Sequence, residues 1–238
     1  MYDDIADIYL EIFPLNQAFL DFLPDYLGYP GSAVLDLGCG PGDYVDYLSR
    51  SGYCCVGIDS STVMIKHAQE KRQGTFFNLS FGEIKQLHGN FDCVYCVGNS
   101  LSYLQPNDLF AFYQEVLRLL TPTGVFILQV VNWDKHRETR SSDFPVNPLS
   151  GGRTFHRRYE WVDDSQVIFH TEIRKDGKTQ KSWADSLYPK YHQVVMADLQ
   201  SAGLTVTAQF GDYKHLPFDP VSSPALILVA QKLLTSYR

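Results

Sequence analysis

The stretch Val34-Leu35-Asp36-Leu37-Gly38-Cys39-Gly40-Pro41-Gly42 sets a short apolar run against a glycine-rich turn, and an amphipathic segment follows from Asp43. Glycine lets the backbone bend sharply and approach a ligand with no Cβ in the way. A strand that passes straight into a helix through such a turn marks a parallel α/β sheet, with its ligand at the carboxyl ends of the strands. The spacing is GxGxG, not the GxGxxG of dinucleotide sites. The same alternation runs through the first 132 residues, predicting strands at 34–37, 53–58, 76–79, 91–97 and 125–131. Helices are expected over 14–27, 43–50, 61–71 and 108–120, with a turn at 121–124. Asp43, and either Ser60 or Ser61, are the expected helix caps.

Past Asn132 the pattern changes to short strands joined by polar turns, predicted at 153–161, 167–174 and 179–187. The last two meet at Asp176-Gly177, a pair suited to a tight hairpin whose central residues need φ > 0. A helix at 191–202 then ends at Gly203, and strands at 204–210 and 225–230 complete the chain. No linker or repeat interrupts it. The expected organisation is therefore one ligand-binding domain, 1–132 with 190–238, carrying an inserted β-meander at 133–189 as substrate lid or dimerisation element.

Composition excludes several classes. With 238 residues and 45% hydrophobic content the chain can bury a proper core, which sets aside disordered and fibrous proteins. The formal charge of −7 disfavours a broad nucleic-acid surface, which needs many phosphate-neutralising cations. No apolar run approaches the ~20 residues of a membrane span, and the acidic start Met1-Tyr2-Asp3-Asp4 is unlike a secretion signal. A cytoplasmic protein without membrane contact is expected. The five cysteines lie in apolar segments and read as core thiols. Cys93 and Cys96 form a CxxC, but on a strand their side chains point to opposite faces, so no metal site is expected.

Asp36 narrows the ligand. A carboxylate two residues before the first glycine repels a pyrophosphate and suits a cation, and S-adenosylmethionine offers a sulfonium and an ammonium. Asp59, 19 residues beyond Gly40, stands where an acceptor for ribose hydroxyls is expected in either nucleotide family.

With these residues the chain resembles the class I S-adenosylmethionine-dependent methyltransferases, in character the small-molecule N-methyltransferases of glycine or sugar-amine type. Residues 34–42 resemble that family's first motif, and Gly57-Ile58-Asp59-Ser60-Ser61 its ribose-binding acid and the following turn. Phe91-Asp92-Cys93-Val94-Tyr95-Cys96 resembles its fourth strand, and Leu120-Thr121-Pro122-Thr123-Gly124 its L-x-P-G-G turn, with Thr123 in place of a glycine. The resemblance implies an α/β, Rossmann-like class I methyltransferase fold. Its seven-stranded, mostly parallel sheet runs in the order 3-2-1-4-5-7-6 with the last strand antiparallel, here with an inserted antiparallel β-meander.

Carried over residue by residue, the resemblance implies a cofactor site for S-adenosylmethionine. Asp36 lies at its floor, and Gly38, Cys39 and Gly40 line the methionine portion. Asp59 holds the ribose diol with Ser60 beside it, and Met64 packs on the adenine. Glu83 accepts the adenine amino group, Ile84 lies against the ring, and Val97 faces the amino end. For a small-molecule acceptor the expected residues are Asn99 and Tyr103 after the fourth strand and Asn132 and Trp133 after the fifth. Tyr9 is expected as a lid residue, from Tyr2-Asp3-Asp4-Ile5-Ala6-Asp7-Ile8-Tyr9, which resembles the family's Y-D-x-x-A-x-x-Y segment. Tyr9 and His136 are the catalytic candidates, and no metal enters. A nitrogen acceptor is favoured. A silent cofactor-binding regulator, an RNA or protein methyltransferase, and a homodimer paired through the inserted strands stay open as alternatives.

Overall fold

The computed structural model describes residues 1–140 and 144–232. The chain opens with three short helices, α1 (Tyr9–Ile12), α2 (Gln17–Phe22) and α3 (Pro24–Leu27). The continuous helix expected over 14–27 is broken for a local reason. Asn16 caps α2 by accepting from the Ala18 amide, and Pro24, with no N–H to give back, starts a new turn.

The alternation then appears as β1 (Ala33–Leu37), α4 (Asp43–Arg50), β2 (Cys54–Asp59), α5 (Thr62–Lys71), β3 (Thr75–Asn78), β4 (Phe91–Cys96), α6 (Leu109–Leu119) and β5 (Leu120–Val131). α7 (Trp133–Thr139) follows, a helix absent from the sequence expectation. The insertion holds β6 (Asn147–Leu149), β7 (Arg153–Trp161), β8 (Val167–Lys175) and β9 (Lys178–Leu187). The chain returns through α8 (His192–Ser201), β10 (Leu204–Phe210) and β11 (Ala225–Lys232). The expected division into 1–132 with 190–238 and 133–189 runs across residues 141–143 and 233–238, which lie outside the described residues.

The seven-stranded sheet has the order β3-β2-β1-β4-β5-β11-β10, parallel except for β11, which runs antiparallel to both neighbours. Both faces are covered, which is why β1 and β4 read as apolar runs, interrupted only by Asp36 and Asp92. Leu35, Leu37, Val94 and Cys96 enter one core cluster, and Val34, Cys93 and Tyr95 the other. The two cysteines of the CxxC thus sit in separate cores.

Two local expectations change, and one left open between two residues is decided. Gly42, at φ 81°, occupies the cap position of α4, while Asp43 stands in the first turn and pairs with Arg72 at 2.5 Å. Ser61, not Ser60, caps α5 by accepting from the Met64 amide at 3.1 Å. The turn expected at 121–124 is a wide bulge in β5: Phe91 pairs with Leu120, and Cys93 next with Val125. Gly124 is needed there because a Cβ would stand 2.8 Å from the Phe91 carbonyl oxygen.

The inserted strands form their own antiparallel sheet in the order β6-β7-β8-β9, with Asp176 at φ 48° and Gly177 at φ 74° in the tight hairpin. A third apolar cluster joins this sheet to the N-terminal segment and α5 through Ile5, Ile12, Met64, Leu149, Phe155 and Ile173. Burying a side chain of this kind contributes about 1.5–3 kcal/mol. Several together seat the first twelve residues firmly.

Candidate active site

The glycine turn leaves β1 and is pinned to β2. The amides of Gly38 and Cys39 both donate to the Ile58 carbonyl, at 2.9 and 2.8 Å. Asp59, at the end of β2, accepts from the Gly40 amide through Oδ2 at 2.9 Å and from the Ser61 amide through Oδ1 at 2.8 Å. One carboxylate therefore fixes both the turn and the entry to α5.

Beyond the turn, at the carboxyl ends of the strands, lies a cavity of about 730 Å³. Of the expected cofactor residues, Asp36, Gly38, Cys39, Gly40, Asp59, Ser60, Met64 and Val97 line it. Glu83 and Ile84 do not. Glu83 is solvent-exposed and turned back on its own helical turn, where Oε2 accepts from the Ser80 amide at 2.9 Å and the Ser80 hydroxyl at 2.7 Å. Ile84 is buried in the core. At that end the lining comes from Leu79, Ser80, Phe81 and Gly82.

Among the expected acceptor residues, Tyr9 and Tyr103 line the cavity. The other three are drawn into structural work instead. Asn99, at φ 65°, accepts from the Ser102 hydroxyl at 2.8 Å and the Val131 amide at 3.2 Å. Asn132 caps α7 and donates to the carbonyls of Asp219, Pro220 and Ser223. Trp133 is fully buried, donating to Ser102 Oγ at 3.0 Å and lying 5.2 Å from the Tyr159 ring. The second catalytic candidate, His136, packs among the rings of Trp133, Phe144 and Tyr159, away from the cavity.

The structure brings in residues that motif reasoning missed, notably Tyr2, Tyr44, Gln129, Asp185 and Tyr213. Tyr2 and Tyr103 share a hydrogen bond between their hydroxyls at 3.0 Å. The Tyr9 ring lies over Gly40, with Cζ 3.5 Å from where a Cβ would stand. This N-terminal segment is tied on two sides: Asp3 accepts from the Ser61 hydroxyl, and Asp4 accepts from Trp183 Nε1 at 2.9 Å. Tyr2 stood in the quoted N-terminal motif, so its place there was a signal. Asp185 gave none beyond its position on a strand.

The lining carries four carboxylates, Asp36, Asp43, Asp59 and Asp185, and among the described residues no lysine, arginine or histidine. Asp36 is buried at the end of β1, and its Oδ2 has no hydrogen-bond partner among the described residues. Burial pushes its pKa up to about 8 against the opposing pull of the Tyr95 hydroxyl, and the charge of Asp59 adds to burial. Between the ordinary carboxylate range and about pH 8 the folded chain therefore holds a proton that the unfolded chain has lost, so this group makes stability fall as pH rises through that window. Burial, above all, also raises the pKa of the Tyr2 and Tyr9 phenols, which stay neutral near pH 7.

Residues 34–124 match a family described as a methyltransferase domain. An uncharacterized methyltransferase of Synechocystis sp. is 36% identical over 105 residues, covering 42% of this chain and 47% of that protein. The glycine/sarcosine N-methyltransferase of Parasynechococcus marenigrum is 25% identical over 194 residues, covering 77% of this chain and 66% of that protein. The chain spans 30% to 47% of the length of five curated relatives it matches, the Synechocystis protein among them. A solved S-adenosylmethionine-dependent methyltransferase from Clostridium acetobutylicum superposes with a TM-score of 0.81 at 15% identity, covering 97% of this chain and 98% of that one, a likeness of fold. Among the described residues no helix is long and apolar enough to cross a membrane.

Proposed function

We propose, from the premise that this chain belongs to the S-adenosylmethionine-dependent methyltransferases, that it moves a methyl group from S-adenosylmethionine to a nitrogen of a small molecule. The observation that carries this reading is the acidic lining of one cavity without a basic side chain among the described residues, which favours a cationic donor and opposes a pyrophosphate.

The residues present fit that donor. The unpartnered, buried Asp36 Oδ2 is costly until a positive charge or a donor arrives. Gly38 and Gly40, at φ 88° and 54°, hold the turn close to its neighbours, where a Cβ at Gly38 would stand 2.9 Å from Ser100 Oγ and one at Gly40 would touch the Tyr9 ring. Asp59 already accepts two amides, and a carboxylate has room for about four donors, so ribose hydroxyls can join them. Met64 and Phe81 supply apolar walls for the adenine.

When bound, S-adenosylmethionine supplies an electrophilic methyl carbon and a good leaving group. The remaining task for the chain is to hold an acceptor in line and keep water out, and such positioning removes on the order of 7–11 kcal/mol from a barrier. Tyr9 over Gly40 and the Tyr2–Tyr103 pair serve that purpose. A nitrogen acceptor is supported by the likeness to a glycine/sarcosine N-methyltransferase.

Calorimetry with S-adenosylmethionine, followed by transfer of labelled methyl to pooled amines, alcohols and total RNA, tests the reading. Binding with label in the amines is expected. No heat from folded protein, or label in RNA or alcohols alone, rejects it.

Asp36 supplies a sharper prediction. With a pKa of about 8, this acid is mostly protonated at pH 7 before the donor enters, and a cation beside it favours ionisation. Binding at pH 7 is therefore expected to release up to about one proton, read from calorimetry in buffers of different ionisation enthalpy, and affinity is expected to rise between pH 6 and 8. In Asp36→Asn both effects should vanish. A wild-type protein that binds with no proton release contradicts the assignment.

A further inference from the structure

The cavity has a fourth carboxylate that the donor site leaves unused, and it comes from the inserted sheet. On β9 the side chains of Trp183, Asp185 and Leu187 share one face, since residues two apart point the same way. Leu187 is buried in the main core, Trp183 packs on the third cluster, and Asp185 lies opposite Phe169 of β8. An acid at an inward position between apolar neighbours does nothing for packing and costs solvation. Its Oδ2 is buried with no hydrogen-bond partner, and Asp185 takes part in no ion pair among the described residues. It faces the cavity beside Tyr2 and Tyr103, and its charge adds to burial in keeping both phenols protonated. The Tyr2–Tyr103 hydrogen bond uses one of the two phenolic protons, so the other can donate into the cavity.

We propose that Asp185, with the Tyr2–Tyr103 pair, is the recognition site for a primary or secondary amine of the acceptor. This deepens the N-methyltransferase reading and rests on it. A neutral amine that donates an N–H to Asp185 turns its lone pair to the opposite side, away from the carboxylate. That lone pair forms the new N–C bond as the methyl carbon leaves sulfur, and the C–S bonding pair stays on sulfur. The positive charge passes from sulfur to nitrogen, where Asp185 balances it, a preorganised charge acting where charge develops. The extra proton on the methylated nitrogen leaves to water on release.

The test uses the full chain saturated with S-adenosylhomocysteine and ethylammonium chloride as the probe, read by ligand-observed NMR at pH 8. Wild type is expected to bind the probe, and Asp185→Asn to bind it at least about tenfold more weakly, the size of one charge-assisted hydrogen bond. Affinity for S-adenosylhomocysteine and the thermal midpoint of the variant should match wild type, which separates loss of recognition from loss of fold. Turnover of pooled primary and secondary amines should fall by about a hundredfold in kcat/KM, in line with loss of a transition-state charge contact. Equal probe binding by wild type and variant, or undiminished amine turnover, overturns the role of Asp185 while leaving the donor site standing. A wild type that binds neither S-adenosylmethionine nor S-adenosylhomocysteine overturns the parent reading instead.

Discussion

Replacing Asp59 with alanine is expected to weaken S-adenosylmethionine binding by on the order of a hundredfold, about 2.7 kcal/mol, and to destabilise the unliganded chain as well. The two effects share one cause. Asp59 accepts from the amides of Gly40 and Ser61, so it holds the glycine turn and the start of α5 in the positions that shape the cavity. Both amides belong to buried residues, and a buried donor left without a partner costs about 1–3 kcal/mol. Alanine orphans both and also removes the acceptor proposed for the ribose. Asparagine keeps the shape, but its amide nitrogen must face one of the two donors, so it should fall between wild type and alanine in affinity and in thermal midpoint. Calorimetric affinities and unfolding curves of the three proteins decide the matter. An alanine variant that binds within threefold of wild type removes Asp59 from the site.

The largest loss of stability in the turn is expected from Gly42→Ala. Gly42 has φ 81° and ψ 19°, a left-handed conformation that costs an alanine roughly 1–2 kcal/mol. Crowding adds to strain: a Cβ would stand 2.6 Å from Phe76 Cε1, 2.8 Å from Phe76 Cζ and 3.0 Å from Ala68 Cβ. Overpacking of this kind typically costs about 1–3 kcal/mol. The sum, about 2–5 kcal/mol, corresponds to a fall of roughly 10 °C in Tm for a chain of this length. Gly151→Ala is the control. Gly151 also has positive φ, at 67°, but has nothing within 4 Å of its Cβ position, so it should lose the strain component alone. Thermal unfolding followed by circular dichroism separates the two, and equal midpoints would remove crowding from the account. The three glycines of the turn thus differ: a Cβ at Gly42 would meet Phe76 of β3 and Ala68 of α5, one at Gly38 would meet Ser100 Oγ at 2.9 Å, and one at Gly40 would only touch the Tyr9 ring at 3.5 Å.

Much of the fold was legible because its strands are buried on both faces and so stand out as apolar runs, as at 34–37 and 125–131. The glycine turn was legible for a similar reason, since few residue patterns permit a strand to pass directly into a helix. What escaped has particular causes. β6 is three residues long and contains Pro148, too little for periodicity to register. Glu83 was assigned by analogy of position, although Ser80-Phe81-Gly82-Glu83 spells a capping box, and the local bond won. Asn99, Asn132 and Trp133 do stand at strand ends, but each meets a backbone or hydroxyl partner close by that occupies it. Asp185 reaches the cavity only because the inserted sheet brings β9 to it, and no local pattern encodes that approach.

The third apolar cluster draws Ile5 and Ile12, Met64 of α5, and Phe155 and Ile173 of the insertion into one contact. Under the function proposed above, donor retention and acceptor choice are therefore coupled in this chain. A mutation that loosens the inserted sheet also loosens the seat of the N-terminal residues above Gly40. Grafting a different insertion to obtain a new specificity would have to carry a matching N-terminal segment with it.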